Sequence, residues 1–273
     1  MLGKLLKYNL RSCFRHMWPF WLAMTAMAVI NGLTTRLSID GGSAGFLLHG
    51  LPFLLLVISV FVTFFGTLIY VCTDFYNGLL STPGYLMFTL PVKTSGLILS
   101  KCITAIILEI LSILVACISA ALLLTIITPA GLADTVRAFF RMWGKIDIPG
   151  NVCLLLVELL IMFLTLAAAF NTKIYAASAV GQLFGKARLA ISFVAYILLG
   201  ILTSMIVTRA AALFSNSLPS ISITFTSVSF DNFEESVTSS CKVAALVTLY
   251  NLAVGAIDYF ISWLILDKKL NLE

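Results

Sequence analysis

Charged residues are scarce in this chain, and their scarcity excludes most soluble classes of protein. Only 11% of its 273 residues are charged, whereas 60% are hydrophobic and the mean hydropathy is +1.07. A soluble protein usually carries about 25% charged residues. A soluble fold cannot cover so much apolar surface with so few charges. The composition therefore excludes a soluble domain, a disordered chain, a coiled coil and a nucleic-acid-binding module, and it predicts an integral membrane protein.

Residues that ligate metals or bind phosphates in recognisable motifs are also few. The chain has two histidines and six cysteines, and no two cysteines form a CxxC pair. No GxxxxGK[ST] loop, which would cradle the phosphates of a nucleotide, occurs in the sequence. We therefore expect no metal, no cofactor and no enzymatic activity in this chain.

Long apolar runs are what the sequence has in abundance. A helix needs about 20 apolar residues to cross a hydrocarbon core about 30 Å thick, whereas barrel strands are shorter and alternate in polarity. We predict an all-α polytopic membrane protein whose residues 1–273 form a single transmembrane domain. Six transmembrane helices are predicted, over residues 17–35, 46–73, 102–128, 151–172, 189–208 and 243–266.

The distribution of basic residues predicts the orientation of these spans. Lys and Arg accumulate on the cytoplasmic side of membrane proteins. With the N-terminus inside, 11 of the 17 basic residues fall in inner segments and six in outer segments. Both termini are therefore predicted to be cytoplasmic.

Two segments outside the spans have a distinct character. The spacing of the basic residues predicts an amphipathic surface helix over residues 1–16, because these side chains share one helical face. These are Lys4, Lys7, Arg11 and Arg15. The helix is open to two interpretations, a simple membrane anchor and a surface that also contacts a cytoplasmic partner. Residues 209–242 form a Ser/Thr-rich outer loop. The alternation at Ser220–Phe225 leaves a small β-element and an irregular polar loop equally open.

The connection between spans 2 and 3 is the most informative stretch. Turn signals at Asn77-Gly78 and Pro83-Gly84 precede an apolar, aromatic run, Tyr85–Leu90, which Pro91 ends. The run is too short to cross a membrane, and leaving it exposed would cost several kcal/mol at about 25 cal/mol per Å². It is covered either by the membrane surface or by a groove on a partner protein.

This segment and the span layout resemble a known family, the permease subunits of ATP-binding-cassette transporters. The closer resemblance is to the type-2 exporter permeases of Gram-positive bacteria. A weaker similarity lies at Tyr175–Phe184, after span 4. The layout matches over nearly the whole chain, whereas the motifs cover few residues. The matching residues of the connection are Gly84, Tyr85, Leu86, Phe88, Thr89, Leu90, Pro91 and Val92, followed by Ser100 and Lys101.

The resemblance implies that this connection is a cytoplasmic coupling helix for a separate ATPase. Residues 84–91 and Lys101 would couple the two subunits, ATP-Mg would bind on the ATPase, and a second permease subunit would complete the transporter. It also implies alternating access, and a location in the plasma membrane of a bacterium. An ATP-independent channel or a substrate-binding membrane subunit is the alternative. A remote alternative, an intramembrane protease, rests on Glu234-Glu235 alone.

Three acidic residues interrupt the predicted spans, namely Glu109, Glu158 and Asp258. Each costs about 2.5–3.5 kcal/mol at the membrane centre on insertion scales, so none is expected to face lipid. Counting 1.5 Å per helical residue predicts that Glu109 and Asp258 share a depth in the inner half of the membrane. Two interpretations stay open, a polar cavity or proton relay on the transport pathway, and hydrogen bonding between helices.

Overall fold

Six long α-helices contain nearly all of the residues that the structure describes. In this computed structural model the described residues are 2–36, 50–80, 94–127, 137, 141, 150–184, 187–214 and 233–268, and none of them lies in a strand. A π-helical turn, Tyr76–Leu80, follows the second helix. The helices are α1 (Leu2–Arg36), α2 (Leu51–Phe75), α3 (Thr94–Ile127), α4 (Gly150–Gln182), α5 (Arg188–Phe214) and α6 (Phe233–Lys268). The all-α prediction is confirmed for this part of the chain.

Four helical regions within the described residues are long and apolar enough to cross a membrane. They are Leu51–Leu80, Thr94–Ile127, Cys153–Gln182 and Ser240–Asp267. Helix α5 contains a shorter apolar stretch, Ala190–Ile206, and α1 is not among the four. Large apolar side chains, such as Phe61 and Leu160, are exposed on these helices, as lipid-facing side chains would be. The chain is therefore a helical membrane protein.

Two helices extend well past the predicted spans at one end. Helix α3 begins at Thr94 rather than at residue 102, and α4 continues to Gln182 rather than ending at residue 172. Lys101 and Lys173, which the orientation count places in inner connections, thus lie inside helices. At 1.5 Å per residue each helix is about 50 Å long, so part of it extends beyond a hydrocarbon core of about 30 Å.

Other predicted boundaries also shift or lie outside the described residues. The predicted surface helix 1–16 and span 17–35 form one continuous helix, α1, which includes Pro19. Helices α5 and α6 reduce the predicted outer loop 209–242 to residues 215–232. Those residues, with the β-element considered for them, lie outside the described part, as does most of the predicted coupling segment.

The chain divides into two compact units. The first comprises Met1–Thr73 and Ile103–Asp147 and is built on α1, most of α2 and most of α3. Trp21 Nε1 of α1 donates to Ser112 Oγ of α3 at 3.1 Å, and the hydroxyls of Ser112 and Thr67 are 3.2 Å apart. These hydrogen bonds satisfy polar groups that lipid could not, and they join all three helices.

The second unit comprises Asp74–Cys102 and Ile148–Glu273, with α4, α5 and α6 as its main helices. A Cβ added to Gly255 of α6 would lie 3.4 Å from Ala169 Cα of α4, so these helices approach closely there. The turn from α4 to α5 is tighter, because a Cβ on Gly181 would lie 1.9 Å from Ser192 Oγ. Small residues thus set the spacing of the bundle, as is common between membrane helices.

Candidate functional site

A buried ion pair joins the two helical segments that flank residues 81–93. Lys101 Nζ of α3 donates to Asp74 Oδ2 of α2 at 2.8 Å. The side chain of Lys101 is 5% exposed and that of Asp74 is 22% exposed. Because both charges are largely shielded from water, their separation would leave a buried charge without its counter-ion. The pair therefore fixes the distance between the end of α2 and the first turns of α3.

The π-helical turn places its backbone against this ion pair. A Cβ on Gly78, in the middle of the turn, would lie 3.0 Å from Lys101 Nζ and 3.1 Å from Lys101 Cε. Leu79 and Leu80, which complete the turn, are 0% and 3% exposed. The chain is thus held in place up to the last described residue before the connection. Short π-helical segments are frequent at functional sites.

An aromatic stack connects the end of α2 to α4. The rings of Phe75 and Tyr175 lie 4.0 Å apart between centroids, at an interplanar angle of 11°. The two side chains are 0% and 1% exposed, so the contact is fully buried. Tyr175 begins the segment Tyr175–Phe184 for which a weaker family similarity is noted above. Movement at the end of α2 would therefore be transmitted to α4.

The start of α3 is bonded to the end of α6. Tyr259 Oη donates to the Ser95 carbonyl oxygen at 3.0 Å, and Thr94 Oγ1 donates to Asp267 Oδ1 at 2.9 Å. We call Asp74, Phe75, Lys101, Tyr175 and Tyr259 the basal cluster. The cluster ties both ends of the connection to α4 and α6 of the same unit. Within the described residues, these contacts therefore hold the chain on both sides of residues 81–93.

The three membrane acids lie in different surroundings. Glu109 is half-buried on α3 in the first unit, whereas Glu158 and Asp258 belong to the second. Glu158 of α4 lies near Cys241 of α6. Asp258 is 2% exposed, and its Oδ2 atom has no hydrogen-bond partner. A cavity shared by Glu109 and Asp258 stays a prediction.

Helices α4, α5 and α6 bring further polar groups together inside the second unit. Lys173 Nζ of α4 donates to Thr203 Oγ1 of α5 at 3.2 Å. Tyr250 Oη of α6 donates to the Thr203 carbonyl oxygen, also at 3.2 Å. Asn171 is fully buried, and neither polar atom of its side chain has a hydrogen-bond partner. The bundle therefore contains polar side chains well beyond the acids predicted from the sequence.

The sequence predictions included Lys101 in the coupling set and Tyr175 in the weaker family similarity, and they did not single out Asp74, Phe75 or Tyr259. Lys101 belongs to the predicted coupling set, and its coupling role stays a prediction. The other members of that set lie outside the described residues; they are Gly84, Tyr85, Leu86, Phe88, Thr89, Leu90 and Pro91. Asp74 lies in the same connection, but no sequence pattern near it indicates that it pairs with Lys101. Tyr175 had a signal, since it begins the second segment of family similarity.

Comparison with known proteins adds no relative, because no family model, curated protein or solved structure matches this chain.

Proposed function

We propose that this chain is the membrane permease subunit of an ATP-driven exporter of the type-2 ATP-binding-cassette class. It works in the plasma membrane of a bacterium with a second permease subunit, and separate cytoplasmic ATPase subunits bind and hydrolyse ATP-Mg. Residues 84–91 dock on the ATPase. Closure of the ATPase subunits then switches the permease between inward-open and outward-open states.

The observation that carries this proposal is the basal cluster. A docking segment transmits force only if its ends are held by the helices that must move. Here the Asp74–Lys101 pair holds the two ends together, while Tyr175 and Tyr259 link them to α4 and α6. A connection that only lay on the lipid surface would not require buried contacts between its two ends and α4 and α6.

The proposal includes six spans with both termini in the cytoplasm, so that α1 and α5 also cross the membrane. The contacts of α1 support this, since His16 meets Tyr70 near the inner end of α2, and Gly32 packs on Ile126 at the far end of α3. Residues 16–36 therefore run beside two apolar helices for about 30 Å, the thickness of the hydrocarbon core.

The packing of the second unit supports a membrane crossing by α5. The ends of α4 and α6 lie together with the start of α3, through the contacts of Tyr175 and Tyr259 described above. Helix α5 turns back beside α4 after Gly181, and its Thr203 contacts Lys173 of α4 and Tyr250 of α6, so α5 runs along these two apolar helices.

Purification of the full chain from its host in mild detergent tests the function. We expect a polypeptide with a GxxxxGK[ST] loop to co-purify, and the complex to hydrolyse ATP-Mg. Replacing residues 84–91 with a Gly/Ser segment of equal length should remove that polypeptide. The same replacement at residues 219–226, in the predicted outer loop, is the matched control and should retain it. A folded chain that never carries an ATPase would favour the ATP-independent channel instead.

A further inference from the structure

One carboxylate in the second unit is buried without a direct counter-ion. Asp258 is 2% exposed on α6, and its Oδ2 atom has no hydrogen-bond partner. The nearby Ser262 hydroxyl donates to the Asp258 backbone carbonyl oxygen at 2.8 Å, so it is engaged elsewhere. A charged carboxylate at the centre of a membrane costs about 2.5–3.5 kcal/mol on insertion scales. Without a partner, the neutral acid is the less costly form at this position.

Lys173 supplies the opposite charge but bonds to a different residue. Gly255 of α6 packs on Ala169 of α4, and one helical turn further along the two helices lie Asp258 and Lys173, so these two residues are at the same level of the bundle. The Lys173 hydrogen bond goes to Thr203 Oγ1 at 3.2 Å. Thr203 Oγ1 itself donates to the Gly200 carbonyl oxygen at 2.9 Å. A lysine side chain is a flexible four-carbon stem with three donors. The Lys173 ammonium can therefore change its acceptor by rotation about its side-chain bonds.

The other titratable groups on the packed helices are engaged or remote. The Lys101 ammonium is bonded to Asp74, and the Tyr259 hydroxyl donates to the Ser95 carbonyl oxygen. The charged residues of helix α5 are Arg188 and Arg209, and both are exposed. The titratable groups that α4, the start of α3, and α6 itself bring to this half of the unit are Lys173, Tyr175, Lys101, Cys102, Tyr259 and Asp267. Of the two described lysines in this half of the unit, Lys101 is paired with Asp74, whereas Lys173 bonds only to a neutral hydroxyl.

We propose that Asp258 is a proton-binding site whose occupancy is set by the acceptor that Lys173 bonds. With Lys173 on Thr203, Asp258 holds its proton as a neutral acid. When the ammonium turns to Asp258, the carboxyl O–H bond breaks, the proton leaves to water and the carboxylate pairs with the ammonium. This inference concerns the permease chain alone and does not depend on the ATPase.

The chemistry of the site favours a proton over a metal ion. A metal cation would require several oxygen ligands, whereas Asp258 offers one carboxylate. An adjacent ammonium would also repel a cation. Within the described ranges, no three His, Cys, Asp or Glu side chains come together as a metal site would need.

Infrared difference spectroscopy of the full chain in lipid nanodiscs tests this proposal. Subtracting the spectrum of Asp258→Asn from that of the wild type should reveal the carbonyl stretch of a protonated carboxylic acid, and this band should disappear as the pH rises. Lys173→Met, which removes the charge, should move that disappearance to higher pH. Thr203→Val, which removes the competing acceptor at similar size, should move it to lower pH. Glu158→Gln is the matched control and should leave the Asp258 band unchanged.

Two results would overturn the proposal. One is a difference spectrum that lacks the band at every pH at which the protein is folded. The other is a band whose pH response is the same in the wild type and in Lys173→Met. If Lys173→Met does not fold, Thr203→Val decides alone, because a shift to lower pH supports the exchange and an unchanged midpoint rejects it.

Discussion

Lys101 Nζ donates to Asp74 Oδ2 at 2.8 Å, across 27 residues of sequence. This one hydrogen-bonded ion pair closes the chain segment that contains the predicted docking residues 84–91. It also explains how α3 begins seven residues before Lys101 although the apolar run starts after it. A buried cation in a helix is tolerated where a carboxylate neutralises it.

Removing one partner of this pair should destabilise the protein more than removing both. Asp74→Asn leaves the Lys101 charge buried and should reduce the free energy of unfolding by about 3–5 kcal/mol, towards the lower value because Asp74 is partly exposed. The double variant Asp74→Asn/Lys101→Met should recover much of this loss. Unfolding in mixed detergent micelles measures both. A double variant no more stable than Asp74→Asn would show that the two side chains do not act as a pair.

The stack between Phe75 and Tyr175 should contribute to stability through full burial. Phe75→Ala should cost about 3–5 kcal/mol, the usual range for deleting a buried Phe side chain. Phe61→Ala is the matched control, because Phe61 lies on the same helix and is 58% exposed. The same unfolding measurement applies to both. Equal losses in the two variants would contradict the packing described for Phe75.

The turn between α4 and α5 should accept no side chain at Gly181. A Cβ there would lie 1.9 Å from Ser192 Oγ and 2.6 Å from the Arg188 carbonyl oxygen, and the latter is backbone that cannot rotate away. Gly181→Ala should therefore cost about 1–3 kcal/mol as an overpacked site. Gly200→Ala is the control, since no atom lies within 4 Å of its added Cβ, and Ala there should stabilise the helix by up to about 1 kcal/mol. Thermal stability of the purified variants distinguishes the two.

Reporter fusions should reveal the orientation. A reporter active only in the cytoplasm should work after Leu270 and between Gln182 and Arg188, because basic residues accumulate on the inner side. The second position avoids Lys173, which lies inside α4. The same reporter after Ser227 should be inactive. Activity at Ser227 together with inactivity at the other two positions would invert the topology.

The apolar runs predicted the class of fold because a membrane leaves the backbone few alternatives to helices. They predicted the ends of α3 and α4 less well. Lys101 and Lys173 interrupt the runs, and a charge normally marks the end of a span. Their acceptors, Asp74 and Thr203, are 27 and 30 residues away in the chain. Such pairings arise only from tertiary packing, so no local sequence pattern predicts them.

The site was predictable only where the sequence carried a motif. The resemblance drew attention to residues 84–91 and to Lys101, because aromatic residues in a short connection are unusual. Asp74 and Tyr259 gave no such signal, since one acid and one tyrosine near helix ends are common. Asp258 was predicted as buried from the cost of its charge alone. The bond from Lys173 to Thr203 could not be predicted, because it depends on how α4 packs against α5.

The most direct measurement is the affinity of the ATPase for the Phe88→Ala permease in nanodiscs. Truncating an aromatic anchor typically costs 2 kcal/mol or more, so we expect binding to weaken by about thirtyfold. Helix content and membrane insertion should be unchanged, since the spans are intact. Binding and coupled ATP hydrolysis equal to those of the wild type would contradict the docking role, and the segment would then be assigned to the lipid interface.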